Sequence, residues 1–300
     1  MRLDVYVALR LGLFSRSQAR ARIVSARVNG SPARLARKLR VGDVVSVEWT
    51  DPPPSELAPE DIPLAVLFEN ADVVVIDKPQ GMVVHPGSGN ASGTLVNALL
   101  FRYVGLAGAF GEENGRPGIV HRLDKETSGA IVVARNVAAH EMLAAQFRDR
   151  TTRKRYLAIV QGALPAREGR IDSRLARDPR DRKSFTCVAI GGRTASTRYR
   201  VLKRFGDEKS AYSLVLLAPR TGRTHQLRVH MKSLGTPILG DPLYGRRDPL
   251  FPEARLMLHA RSLSIRLPGE EQPRTFVSPL PPRFRALMKQ LQSLSPSTGL

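Results

Sequence analysis

Asp124 stands between two cations, Arg122 and Lys125, in the run His121-Arg122-Leu123-Asp124-Lys125-Glu126-Thr127-Ser128-Gly129. A carboxylate flanked in this way stays ionised. It can then act as a nucleophile, as a base, or as a counter-charge for an electron-poor centre. Apolar runs border it, Ile119-Val120 on one side and Ala130–Ala134 on the other. A loop carried on a rigid sheet is where catalytic groups tend to sit, although a salt-bridged turn fits the same residues. A second cluster is Thr221-Gly222-Arg223-Thr224-His225-Gln226-Leu227-Arg228-Val229-His230. So many polar groups are costly to bury unless an anion meets them, and simple contact with a polyanion also explains them. A third is Arg153-Lys154-Arg155-Tyr156, a basic run ending in an aromatic residue that could equally be a core tyrosine.

Other chemistries lack their motifs. There is no Gly-rich phosphate loop with a lysine, no dinucleotide fingerprint after a strand, no HExxH and no Gly-x-Ser-x-Gly; Gly87-Ser88-Gly89 lacks the flanking pattern. The six histidines are scattered, and His225 and His230 have no obvious third metal ligand. The single cysteine, Cys187, can form neither an internal disulfide nor a zinc framework. No metal and no cofactor are expected. The lone thiol and the lack of a signal peptide point to the reducing cytoplasm. No run of about 18 apolar residues offers a membrane span.

Charge names the partner class. The chain of 300 residues carries a formal net charge of +20, from 47 basic and 27 acidic side chains. An excess of this size predicts a polyanionic partner, with nucleic acid favoured over an anionic membrane surface. The charge is uneven. Residues 1–50 hold ten Lys/Arg against three Asp/Glu, and residues 51–72 hold six acids and no base.

These groups need elements to hold them. Leu3, Tyr6, Val7 and Arg10 have helical spacing, and Ser15 could cap a second helix through Ser25. Val28-Asn29-Gly30 signals a turn, and Gly42-Asp43 opens a strand from Val44 to Trp49. Arg16, Arg20 and Arg27, followed by Arg37 and Lys38, lack acidic partners and suit phosphate contact; a solvated helix face is the plainer alternative. Pro52, Pro53 and Pro54 in the acidic stretch predict a stiff boundary. The domains expected are 1–50, a linker over 51–65, a catalytic domain over 66–291 and a disordered tail over 292–300. Beyond the linker, strands are expected at Val73–Ile76, Ile119-Val120, Ala130–Ala134, Tyr156–Val160, Thr197–Leu202 and Tyr212–Leu217. Helices are expected from Asn136 to Phe147, after Thr221, and from Arg283 to Leu291. No βαβ regularity and no internal repeat appear. The fold class expected is α+β: a mixed, largely antiparallel sheet with flanking helices, preceded by a small α/β domain.

Residues 1–49 resemble the S4 RNA-binding module through Arg2-Leu3-Asp4, Ser15-Arg16-Ser17, Val28-Asn29-Gly30 and Gly42-Asp43-Val44-Val45. Residues 66–285 resemble the RluA-type pseudouridine synthases. The resemblance runs through Asp77-Lys78-Pro79, His85-Pro86-Gly87, His121–Gly129, Lys154–Gly162, Gly222–His230, Gly240-Asp241-Pro242-Leu243-Tyr244-Gly245 and Leu258-His259-Ala260. Leu267-Pro268-Gly269 replaces a His-Pro usual in the family. The stretch His85–Asn90 with Thr94–Leu100 looks most like the RluD-type branch, which modifies large-subunit ribosomal RNA.

The resemblance implies that Asp124 is the essential aspartate, Tyr156 the tyrosine against the base, and Arg228 the arginine paired with the aspartate. It further implies that Arg122 fills the space left by a flipped nucleotide and that Leu227 lines the pocket. His121, Arg223 and His225 share the same motifs as substrate-binding candidates. The partner implied is ribosomal RNA or a pre-ribosomal particle, met by a monomer. A non-catalytic RNA-binding or assembly factor, and the same enzyme class acting on transfer or messenger RNA, are the competing readings.

Overall fold

Val73-Val74-Val75-Ile76 has no polar interruption, the pattern of a strand covered on both faces. In the computed structural model these residues are wholly buried. The structure describes residues 1–9, 23–50, 57–87, 89–110, 116–206 and 211–294. They fall into two units, Met1–Glu56 and Leu57–Leu300.

The small unit has a helix α1 (Leu3–Leu9) and three strands, β1 (Ile23–Val28), β2 (Ser31–Pro32) and β3 (Val45–Trp49), in the antiparallel order β2-β1-β3. Asn29 and Gly30 both have positive φ, 55° and 75°, which turns β1 into β2 in a tight hairpin. Leu3, Val7 and Val28 form its core. The helix expected through Ser25 is corrected at its end. Residues 23–25 belong to β1, where Ile23 and Val24 follow the β preference of branched side chains. Residues 15–22 of that helix lie outside the described residues.

The large unit is built on one sheet. Its strands are β4 (Ala65–Glu69), β5 (Val73–Lys78), β6 (Ser128–Ala134), β7 (Arg153–Gln161), β8 (Glu168–Arg177), β9 (Phe185–Val188), β10 (Arg193–Phe205), β11 (Tyr212–Pro219), β12 (Leu258–Ile265) and β13 (Arg274–Val277). Their order is β4-β5-β6-β12-β7-β11-β10-β8-β9, with β13 alongside the later half of β12. Every pairing is antiparallel except β6 with β12. That junction is tight: a Cβ on Gly129 would come within 2.3 Å of the Ala260 carbonyl oxygen, and φ there is +117°, so only glycine fits. The helices are α2 (Leu95–Arg102), α3 (Leu106–Phe110), α4 (Val137–Asp149), α5 (Gln226–Ser233) and α6 (Pro282–Ser293). Asn136 caps α4 by accepting a hydrogen bond from the Ala139 amide at 2.9 Å.

Among the described residues three large apolar clusters and a small one, around Leu175, Ala195, Val229 and Tyr244, fill this unit. One joins β7, β10 and β11 to Phe284 and Leu287 of α6. A second lies between β5, β6 and α2, and a third between β5, β6, α4 and β12. Tyr156 packs against the first and the second. Leu57, Ile62 and Leu64 pack into the second cluster, so this part of the expected linker is the flank of the large unit. Ile119-Val120, expected as a strand, makes only a single bridge, from Ile119 to Val133. No helix among the described residues is long and apolar enough to cross a membrane.

Candidate active site

The loop 121–127 enters from Ile119 and leaves into β6, and its backbone is fixed from below. Lys78, at the end of β5, is fully buried. Its ammonium donates to the carbonyls of Pro79 (2.9 Å), Met82 (2.8 Å) and Lys125 (3.3 Å). Burial pulls the Lys78 amine down to about 7, while the charges of Asp124 and Glu126 oppose that fall. The Gly81 amide reaches Lys125 O at 2.8 Å, and Gln80 Nε2 reaches Glu126 O at 3.0 Å. At the far end Ser128 Oγ shares a 2.9 Å hydrogen bond with His259 Nδ1 and accepts one from Arg283 Nη2 at 2.6 Å. Leu123 is buried in the core, which leaves its neighbour Asp124 facing a cleft of about 520 Å³.

The opposite wall is the turn after β11 and the start of α5. Gln226 locks that turn. Its Oε1 accepts from Thr221 Oγ1 (2.7 Å) and the Arg223 amide (3.0 Å), and its Nε2 donates to Ser196 O (3.0 Å) and Thr197 Oγ1 (2.9 Å). Leu227 and Arg228 therefore point into the cleft from a rigid helix start. His225 precedes them in a left-handed conformation (φ 54°), which turns its ring toward Asp124.

The electrostatics are asymmetric. Asp124 Oδ2 lies 3.7 Å from Arg228 Nη1 and 4.0 Å from His225 Nε2. Arg228 gives its planar fork elsewhere: Nε and Nη2 each donate to the buried carboxylate of Asp241 at 2.7 Å. Tyr244 faces the same guanidinium, 4.9 Å from its ring centre. Its hydroxyl accepts from the Phe185 amide (2.8 Å) and shares a 2.8 Å hydrogen bond with His225 Nδ1. Burial, reinforced by the charge of Asp124, holds the Tyr156 phenol well above its ordinary value. The ring thus meets the cleft with its proton in place.

All eight candidates of the large unit line this one cleft: Asp124, Tyr156, Arg228, Arg122, Leu227, His121, Arg223 and His225. His121 does so with its ring committed to the protein. Nε2 accepts from the Val132 amide at 3.0 Å, the ring stacks on Phe147 at 4.4 Å, and burial drops it to about 3. His230 turns away from the cleft, bonded to Thr197 and Ser173. Among the described residues no group of three or more His, Cys, Asp or Glu side chains is placed to hold a metal. Of the small-unit candidates, Arg27, Arg37 and Lys38 are exposed. Arg16 and Arg20 lie outside the described residues. The sequence alone assigns no role to Lys78, Asp241 or Tyr244, although each stands in a motif named above; what links them to the cleft is contact in space.

A family model described as RNA pseudouridylate synthase matches residues 72–233. The chain is 43% identical to Ribosomal large subunit pseudouridine synthase D of Borreliella burgdorferi, over 95% of this chain and 87% of that one. It is also 43% identical to the protein of the same name from Xanthomonas campestris pv. campestris, over 97% and 89%. Among solved structures, Human RNA Pseudouridylate Synthase Domain Containing 1 is similar with a TM-score of 0.60 and 27% identity, covering 82% of this chain and 97% of that one.

Proposed function

Because the chain belongs to the RluA-type RNA pseudouridylate synthases, we propose that its targets are uridines of large-subunit ribosomal RNA and that Asp124, Tyr156 and Arg228 carry the isomerisation. The target class is supported by the relatives named for the large ribosomal subunit. The site is supported above all by one observation: a single carboxylate, Asp124, faces a cleft whose other charged lining residues are all basic.

The reaction breaks the N1–C1′ bond, turns the base, and joins C5 to C1′. The C5 proton then leaves and N1 ends protonated, so product and substrate are isomers. Cleavage leaves the sugar electron-poor and the uracil anionic. Asp124 supplies negative charge where the sugar needs it. Arg228 sets a positive charge 3.7 Å from that carboxylate, and its own position is held by Asp241. Tyr156 offers a ring for the uracil to stack on and a hydroxyl at its edge. A stacked uridine cannot reach Asp124, so the nucleotide must leave its helix, and the exposed Arg122 suits the space it vacates. The small unit serves as an S4-type RNA-binding module through Arg27, Arg37 and Lys38, and the protein works as a monomer in the cytoplasm.

The test pairs pseudouridine mapping of total RNA, with and without the gene, with the Asp124→Asn protein. The expected result is loss of specific large-subunit pseudouridines without the gene. Asp124→Asn should abolish turnover while RNA affinity changes little, because phosphate contacts supply most of the binding. Pseudouridines lost only from transfer or messenger RNA would refute the target assignment. Near-normal turnover by Asp124→Asn would refute the site.

A further inference from the structure

Away from Asp124, the cleft holds a group of cations to which the mechanism above gives no task. Arg150 caps the end of α4, Lys154 is the second residue of β7, and Arg223 sits in the turn before α5; all three line the cleft. Among the described residues none of them forms an ion pair with a carboxylate. The nearest acid in sequence, Asp149, pairs with Arg148 at 3.3 Å. Burial lowers the Lys154 amine from its ordinary value, and the charges of Arg150 and Arg223 lower it further. Arg223 is lowered in the same way by burial, Arg150 and Arg193. Arg150 thus lies near enough to act on both Lys154 and Arg223, and Arg223 near enough to act on Lys154.

The backbone points the same way. Arg150 is left-handed (φ 60°, ψ 32°) at the C-cap of α4, a position that favours glycine. An L side chain there costs about 1 kcal/mol. Strain kept at one residue of a cluster is a pointer to use. The group also has a fixed frame. Arg223 Nε donates to Thr194 O at 3.1 Å, and the Lys154 ammonium lies 5.9 Å from the centre of the Phe147 ring, on which His121 stacks. Gly222 leaves the approach open, since a Cβ there would meet only Lys154 Nζ, at 3.9 Å.

We propose that Arg150, Lys154 and Arg223 form one phosphodiester site, which grips a single backbone phosphate of the RNA beside the nucleotide that enters the cleft. The inference rests on the RNA reading above and adds to it a defined anchor. Two guanidinium groups and one ammonium match the two non-bridging oxygens of one phosphate, and they would overfill any carboxylate. A phosphate held here fixes the register of the strand, so that the next nucleotide is the one presented to Asp124.

The test uses a short single-stranded uridine oligomer, whose binding can be read without turnover. Dissociation constants are measured across a range of salt for Arg150→Gly, Lys154→Gln, Arg223→Gln and the triple variant. Each single variant should bind roughly tenfold more weakly, the loss of one charge-assisted hydrogen bond. The triple variant should lose about 0.7 in the slope of log affinity against log salt, the value for one phosphate on a single strand. A loss of about 2 would mean three separate phosphates, and no loss would mean none; either overturns the proposal. Arg150→Gly separates binding from architecture. Its melting temperature should hold or rise while affinity falls, whereas a merely structural Arg150 would leave affinity unchanged. If the wild-type protein binds the oligomer as described but forms no pseudouridine in ribosomal RNA, the functional reading fails and the phosphate site stands.

Discussion

Arg228 binds Asp241 through two 2.7 Å hydrogen bonds and presents only Nη1 to Asp124, at 3.7 Å. The arginine that polarises the candidate catalytic carboxylate is thus oriented by a different carboxylate. Its position does not depend on Asp124, so Asp124 is free to change its charge or bonding during the reaction without releasing its partner. Breaking a buried pair of this kind typically costs about 3–5 kcal/mol, because one charge is left without compensation. Asp241→Asn should therefore lower the melting temperature and slow single-turnover isomerisation at saturating RNA. Arg228→Lys keeps the charge but loses the fork, and should be slow as well. Wild-type rates in both, at matched stability, would show that the fork plays no part.

Tyr156 lies in the cleft as a phenol, not a phenolate, because burial and the nearby Asp124 both raise it. Tyr156→Phe should keep the stacking surface and the fold but lose the hydroxyl. The rate should fall by more than the affinity, and the wild-type pH–rate profile should show no inflection from this group below pH about 10. An unchanged rate would assign the proton transfer to another group.

Four histidines give the fold a predictable acid limit. Burial drops His85, His230 and His259 to about 4 and His121 to about 3, so all four are neutral when folded. In the unfolded chain they titrate near pH 6.5. Below that pH the unfolded state binds more protons, so stability is full above pH about 6.5 and falls as the pH drops toward 4. Each histidine contributes a slope of up to about 1.4 kcal/mol per pH unit in that window. Denaturant unfolding at pH 7, 6 and 5 reads the slope. His259→Gln should remove about one proton from it, and an unaltered slope would contradict the assignment.

The units suggest a division of labour. Leu57, Ile62 and Leu64 belong to the core of the large unit, so a deletion should stop before Leu57. Removing residues 1–56 should leave a folded enzyme with weaker RNA binding and a shallower salt dependence, since a second binding module mainly raises effective concentration. Saturating enzyme should restore the full-length single-turnover rate. A saturated rate far below full length, with the fold intact, would mean that the small unit helps shape the active complex.

Which features could be read from sequence follows from how local their signals are. β5, β6 and β11 announce themselves as apolar runs, and α4 by the Asn136 cap ahead of Met142, Leu143 and Phe147. β10 shows its middle, Thr197–Leu202, but not its full length, and β8 is harder still. In Glu168–Arg177 the inward positions are Gly169, Ile171, Ser173 and Leu175, too weakly apolar to mark a strand that is held by pairing with β10. β12 gives no strand signal of its own, because His259 and Ser262 interrupt its apolar pattern. Asp124, Tyr156 and Arg228 stand out by their motifs, and all line one cleft. Lys78 and Asp241 could not be given roles in that way. A buried lysine reads as a surface lysine until the three carbonyls that receive it are known. Asp241 meets Arg228 only through the turn that follows α5.

β12 comes from the last sixth of the chain, yet it fills the gap between β6 and β7, which α4 joins in sequence. Asp124 precedes β6 and Tyr156 lies on β7, so the strands that carry them are held together by β12. Both residues stand more than about a hundred positions before the strand that unites them. Such distant pairing is slow to form. The cleft between the two residues is thus a late product of the chain, complete only once residues 258–265 stand between the strands that bear its two walls.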